Sequence, residues 1–267
     1  MRRSLIGLVA IAAVLATAGI AHAQPSAQEL SQEAANPIAD LVSLPIQNNT
    51  DFGLGPNDRA RNVMNIQPVV PLRGGRIVTR TVIPVAWIPD LTADSGFQTT
   101  GLADILFTGF YVPESESLMW GIGPALEMPT GGSDRGTQKW SAGPAAVVLS
   151  QTNDWTLGFL TNNIWSFAGD SDRDSVNKGI FQYFIVRQLG QGWYVNSAPI
   201  ISVNWKAESG DRWTVPFGLG IGKLSFLGKL PVNAQVGGFA NAVKPDIGPD
   251  WQLRVQLQVL FPVPGGS

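Results

Sequence analysis

Residues 251–261 read WQLRVQLQVLF. Trp251, Leu253, Val255, Leu257, Val259 and Phe261 fall on one face. Gln252, Arg254, Gln256, Gln258 and Leu260 fall on the other. A period of two belongs to a strand with one oily and one wet face. A chain built from such segments has two solutions. In a soluble sandwich the oily face packs a core and the polar face meets bulk water. In a membrane barrel the oily face meets lipid and the polar face lines the interior. Alternation alone is compatible with both, so the choice rests on segment length, turns and aromatic placement.

The segment is one of about twelve, each about ten residues long, the length and even number of a bacterial transmembrane barrel. They run over 44–54, 61–72, 77–87, 101–111, 119–128, 139–150, 155–166, 177–187, 193–205, 213–223, 230–242 and 251–261. Soluble strands average nearer five or six residues. The connections alternate in kind. Those after even strands are tight, as in RGG, PESES, QTND and GQG, with a turn near Gly228. Those after odd strands run longer and more polar, as in PDLTADSGFQTT, TGGSDRGTQ and GDSDRDSV. Short periplasmic turns and longer outer loops produce this parity, and an even strand count puts both termini on the periplasmic side.

All nine tryptophans fall near strand ends. Trp120, Trp155 and Trp193 lie toward the tight turns. Trp87, Trp140, Trp165, Trp205, Trp213 and Trp251 lie toward the long loops, and Phe261 marks the tight-turn edge of the last strand. Indole is apolar with one N–H donor, which suits a lipid–water boundary, so two girdles are expected. A soluble core would place some tryptophans in mid-strand. Charged residues make up 14% of the chain, against roughly 25% in soluble domains. The faces agree in most strands. Met64, Ile66, Pro68, Val70 and Leu72 oppose Asn65 and Gln67, and Trp213, Val215, Phe217, Leu219 and Ile221 oppose Thr214, Gly218, Gly220 and Gly222. The phase slips around Thr161 to Asn163, which reads as a bulge. Strand prolines Pro68, Pro84, Pro124, Pro144, Pro199 and Pro216 cost ladder bonds and have no account at this level.

The first residues, MRRSLIGLVAIAAVLATAGIAHAQ, combine Arg2 and Arg3 with an apolar run and an Ala21-His22-Ala23 cleavage pattern. They read as a secretory signal peptide over 1–23, exported by the general route and cut before Gln24, rather than as a retained anchor. The 18 basic residues, less Arg2 and Arg3, against 20 acidic ones leave a mature formal charge of −4, which gives no reason to expect a nucleic-acid partner. There is no cysteine, and the single histidine, His22, lies in the signal peptide. The mature chain therefore lacks the parts for a Ser-His-Asp triad, a Cys-His pair or a His/Cys zinc site. No cofactor and no enzymatic activity are expected. Residues 24–43 form a leader. It is either a short amphipathic helix, docked at a barrel mouth or plugging the lumen, or a frayed terminus. The barrel spans 44–261, and 262–267 is a tail.

The inward phase of the strands gives the candidate lumen lining: Gln47, Asp51, Asn65, Gln67, Arg80, Asp104, Glu127, Gln252, Arg254 and Gln256, with Lys139 also on that phase. Basic residues at the lipid midplane cost roughly 2–4 kcal/mol, so the charges belong inside. Arg80 and Arg254 are expected to fork onto Asp104 or Glu127. Three readings stay open: structural ion pairs that stiffen the barrel, a polar constriction that filters solutes, and an acid/base couple of Glu127 and Asp104. Asp170, Asp172 and Asp174 alternate in a polar loop that lacks the glycine and terminal glutamate of a calcium loop. It reads as a solvated outer loop, or as a weak contact for divalent ions or lipopolysaccharide. The glycine pairs in GIGP and GLGIG lie in strands and relieve crowding rather than cradle phosphate.

Several longer runs resemble a known family: NPIADLVSLPIQNNTDFGLGP, NIQPVVPL, TRTVIPVAWIPD, GLADILFTGFYVP, WGIGPALEMPTG, KWSAGPAAVVLSQ, WTLGFLTNNIWSFAGD and WQLRVQLQVLFP. The family is a bacterial outer-membrane barrel described as a component of the MetA pathway of phenol degradation, some members being labelled transporter or neuromedin U. The resemblance covers 36–262. It implies a Gram-negative outer-membrane location and passage of small, aromatic compounds, with no catalytic residues to carry over. Outer-membrane lipid, lipopolysaccharide, the barrel-assembly machinery and a small solute are then the expected partners of a monomer. The tail PVPGGS after Phe261 departs from the usual terminal aromatic residue and makes the assembly signal internal.

Overall fold

The computed structural model describes residues 25–93, 95–115 and 118–261. The expected signal peptide and the tail at 262–267 lie outside the described residues. Fifteen β-segments follow a short helix, α1 (Ala27–Ala34). They are β1 (Val42–Leu54), β2 (Arg59–Ile66), β3 (Val69–Leu72), β4 (Ile77–Pro89), β5 (Phe97–Leu102), β6 (Ile105–Tyr111), β7 (Met119–Met128), β8 (Lys139–Gln151), β9 (Trp155–Gly169), β10 (Asn177–Gly190), β11 (Trp193–Ser197), β12 (Ile201–Asn204), β13 (Trp213–Leu227), β14 (Leu230–Val243) and β15 (Trp251–Phe261). Three pairs, β2 with β3, β5 with β6 and β11 with β12, are single staves broken in the middle. The sheet therefore has twelve antiparallel staves. β15 pairs with β1 from Val42↔Phe261 to Phe52↔Trp251, which closes the barrel and leaves no free edge.

The breaks explain most of the strand prolines. A proline donates no ladder bond, so it collects where the ladder is already interrupted. Pro68 and Pro199 lie in the breaks between β2 and β3 and between β11 and β12. Pro84 accepts from the Ala103 N–H, beside the break between β5 and β6, and Pro216 sits at a register shift against β14. Pro124 and Pro144 face each other across β7 and β8. The widest break is at Pro199. β11 and β12 pair with β13 through 193–196 and 202–203, leaving 197–201 unpaired opposite 215–219. The Ser197 hydroxyl donates to the Gly218 carbonyl in this gap at 2.8 Å.

The exterior is oily. Leu219 is 71% exposed, Phe217 58% and Leu257 53%, values that only a lipid surround makes tolerable for a contiguous apolar belt. The expected bulge at Thr161 to Asn163 is absent. β9 pairs with β10 in unbroken register from Trp155↔Arg187 to Trp165↔Asn177. Thr161 and Asn163 instead point outward with their polar atoms paired. Thr161 donates to the Ile180 carbonyl at 2.8 Å, while Asn163 accepts from Trp205 Nε1 at 2.7 Å and donates to Asn177 at 3.0 Å. A second outward polar group, Asn48, Thr50 and Asn62, is likewise bonded internally. Polar side chains survive on this face by pairing with one another.

α1 is not a frayed terminus. Ser26 caps it in a reciprocal box with Glu29, whose carboxylate is held below its usual range by the bonds to Ser26. The helix docks at the short-turn end. Leu30, Ala39 and Leu41 pack with Leu224 of β13 and Leu260 of β15.

Candidate functional site: the barrel lumen

The register of each pair fixes which residues look inward. From β3 to β10 the inner wall is largely apolar: Val69, Val78, Phe110, Ala125, Ala145, Val147, Leu149, Leu160, Ile164 and Phe184 form one buried cluster, joined by Ile38 from the leader, with Arg80, Thr108, Glu127, Ser141, Thr156 and Asn162 set among them. From β11 round to β1 the wall is amide-rich, with Asn196, Asn233, Gln235, Gln256, Gln258, Gln47 and Asn49. Glycines on the inward phase of β13 make room for this wall. A Cβ at Gly222 would clash with the phenol end of Tyr194, and one at Gly220 would meet Asn196. The Tyr194 hydroxyl in turn donates to Asn233 at 3.0 Å.

Arg254 forms a bar across the polar wall. Its Nε donates to Asn49 at 3.2 Å, Nη2 to Gln252 at 3.2 Å, and Nη1 to the Ala198 carbonyl at 2.8 Å. That carbonyl is free because the ladder is broken at Pro199. The guanidinium also lies 4.5 Å from the centre of the Phe239 ring. Asp51 sits one pair further out and accepts from Arg61 at 2.7 Å and Gln252 at 2.8 Å. Arg61 was not among the lumen candidates, though its register opposite Asp51 places it there.

The expected forks onto Asp104 and Glu127 do not form. Glu127 pairs with Lys178 at 2.8 Å. Asp104 lies in the break between β5 and β6 and turns to the loop at 129–138. It accepts from the backbone of Gly131 at 3.0 Å and Thr137 at 2.6 Å and from the Thr137 hydroxyl at 2.9 Å. Arg80 bonds Gln67 instead of a carboxylate. Glu127 and Asp104 are thus engaged by different partners, a lysine and loop amides. Opposite Glu127, Ser141 is fully buried, and neither its hydroxyl nor Glu127 Oε1 has a partner among the described residues. Of the remaining candidates, Gln47, Asn65, Gln67, Gln252 and Gln256 all face inward. Lys139 makes no ion pair among the described residues.

Two spaces lie along the axis. A vestibule of about 1140 Å³ opens at the long-loop end between Leu106, Glu127, Ile164, Lys178 and Ile180 and the loops carrying Arg173, Lys206 and Arg212. The Asp170–Asp174 loop stands exposed at its rim. Asp170 accepts from the Asp172 N–H, and Arg173 ties the loop to the Ser133 and Gly136 carbonyls. Deeper in, a chamber of about 160 Å³ lies between Arg80, the amide wall, Leu160, Phe184 and α1. The helix floors it. Ser31 donates to Gln188 at 2.9 Å, Gln32 to the Thr152 and Asn153 carbonyls at 2.8 and 2.7 Å, and Gln258 to the Ala34 carbonyl at 3.4 Å.

On the exterior, all nine tryptophans point away from the lumen. Seven are exposed and Trp87 and Trp213 half-buried, with Phe261 half-buried at the short-turn edge. Arg187 and Lys223 lie over Trp155 and Trp193 at the short-turn level, at 5.4 and 4.9 Å from the ring centres.

Closed antiparallel staves, an oily exterior and a polar-and-apolar interior define a twelve-stranded barrel of the outer-membrane type. Solved structures of similar fold agree. The chain resembles the COG4313 outer membrane channel from Pseudomonas putida F1, with a TM-score of 0.57 and 16% identity over 83% of this chain and 94% of that one. It also resembles the NanC porin (TM-score 0.55, 8% identity, 82% of this chain and 100% of that one) and the KdgM porin (0.50, 10%, 82% and 99%). No family model matches the chain, and no curated protein matches it.

Proposed function

We propose that the protein is an outer-membrane channel that passes small molecules without chemistry. The observation that carries this reading is the nature of the closures. Above the eight-residue helix that floors it, the lumen keeps a chamber and a vestibule beside its packed apolar cluster, with the Arg254 side chain drawn across the polar wall. The helix is held by apolar packing and by hydrogen bonds, and Arg254 largely by hydrogen bonds, which a small displacement can exchange for water. An apolar wall facing an amide wall suits small amphiphilic or aromatic solutes, consistent with the phenol-degradation family the sequence resembles. The unpaired stretch at 197–201 supplies a second route, sideways into the membrane, for apolar solutes. The long loops then face outward and both termini the periplasm, after export on the signal peptide. The solved relatives carry the names channel and porin, and the missing histidine and cysteine of the mature chain fit a role without catalysis.

The second reading is a structural or surface-interaction barrel, favoured by the helix sealing the short-turn end. Planar-bilayer recordings and proteoliposome uptake of the purified protein separate the two. Transport expects discrete, small conductance steps and uptake of small aromatic solutes. No conductance and no uptake for any solute tried refutes it.

A further inference from the structure

The inner chamber holds one cation and no acid. None of its lining residues is aspartate or glutamate. Of the carboxylates on the strands, Asp51 is engaged by Arg61 and Gln252, Glu127 by Lys178 and Asp104 by loop amides, and Glu33 and Asp40 of the leader do not line the chamber. Arg80 makes a single hydrogen bond among the described residues, to Gln67 Oε1, although a guanidinium carries five N–H donors. Gln67, Gln235 and Gln256 line the same space, and their side-chain amides donate to no protein group among the described residues. An enclosed guanidinium without a counter-charge is costly, and water in so small a space solvates it without neutralising it.

We propose that this chamber is an anion site, in which the Arg80 guanidinium binds a small monocarboxylate. The planar fork of arginine matches the two oxygens of a carboxylate, and each bond so formed is charge-assisted. The spare amide N–H groups of the chamber complete the polar half of the site. Val69, Leu160 and Phe184 line the other half and receive the short alkyl or aryl end of the anion. At about 160 Å³ the chamber admits an acid of acetate to benzoate size and excludes an oligosaccharide. Phosphate dianions fit poorly, since one cation neutralises only half their charge. The site lies between the two closures, so its occupancy does not depend on whether solute crosses the whole barrel.

The test is anion binding to the folded, full-length barrel, read apart from conductance. Crystals soaked in sodium bromide are expected to show an anomalous peak beside the Arg80 guanidinium, and sodium acetate is expected to displace it. Calorimetric titration with acetate and with benzoate is expected to show saturable binding that Arg80→Gln weakens at least tenfold. Arg80→Lys keeps the charge without the fork; it is expected to retain the bromide peak and lose most of the acetate affinity, and it serves where Arg80→Gln folds poorly. No bromide peak in the wild type, a peak that survives in Arg80→Gln, or a peak that acetate does not displace overturns the proposal. A protein that binds acetate here and conducts nothing refutes transport and leaves the anion site standing.

Discussion

Weakening the α1 dock should open the barrel by an amount the contacts set. In the double substitution Leu30→Ala, Ser31→Ala, two terms are lost together. Leu30 is 4% exposed among Ala39, Leu41, Leu224 and Leu260, and truncating such a leucine removes about 2–3 kcal/mol of burial from the docked state. Ser31 donates to Gln188 Oε1, and the Gln188 Nε2 already lacks a partner, so the change strands the whole buried amide at a cost of about 1–2 kcal/mol. Together roughly 4 kcal/mol is lost, and at 1.4 kcal/mol per decade the docked-to-undocked ratio falls by nearly three orders of magnitude. Gln32, Gln151 and Gln258 still tether the helix, so closure persists but is interrupted. Single-channel recording should show a large rise in open time, and protease should cleave the leader within residues 25–41 far faster than in the wild type. Unchanged protease resistance together with unchanged open time would refute the assignment of these contacts as the lock.

Other perturbations test separate parts of the structure. Arg254→Met removes three hydrogen bonds and leaves Gln252 Oε1 unpaired, so it should lower stability by about 2–3 kcal/mol in urea titration and raise the conductance of the helix-free state. Gly222→Val drives a side chain into the Tyr194 ring and should cost about 1–3 kcal/mol, recovered in part by Tyr194→Ala in a double-mutant cycle. Glu33 has its pKa raised above 4.5 by burial and by Asp40. The docked helix therefore binds protons more readily than the released one. Docking should be tightest in acid and weaken as pH rises through the ordinary carboxylate value to the raised one, so open time should grow as the pH climbs above the ordinary carboxylate range, and Glu33→Gln should abolish the dependence. Lys178→Met strips Glu127 of its cation in the vestibule floor and should lower the preference for anions in reversal-potential measurements, a result that an unchanged potential would contradict.

Much of the architecture is local and therefore legible. WQLRVQLQVLF carries its two faces in its own residues, and the tight turns and tryptophans repeat at the spacing of the staves. Other strands are silent. In KWSAGPAAVVLSQ the middle of both faces is small or apolar, so only Lys139, Ser141 and Gln151 at the ends hint that Ala145, Val147 and Leu149 line the lumen while Trp140, Ala146 and Val148 meet lipid. Thr161 and Asn163 mislead for the opposite reason. Their polarity argues for the interior, yet their partners, the Ile180 carbonyl, Asn177 and Trp205, lie on neighbouring staves and make the exterior tolerable.

Alternation, length and turn chemistry are properties of a few consecutive residues, and they determined that this chain forms a closed barrel of about twelve strands with an oily exterior. The lumen obeys no local rule. Its pairings join residues far apart in the chain, such as Ser31 with Gln188 and Arg254 with Ala198, and a carboxylate is available to an arginine only if closure brings the two together. Only the tertiary structure decided that α1 is a stopper, that Asp104 serves a loop and Glu127 a lysine, and that Arg80 is left facing an enclosed space with its charge unanswered.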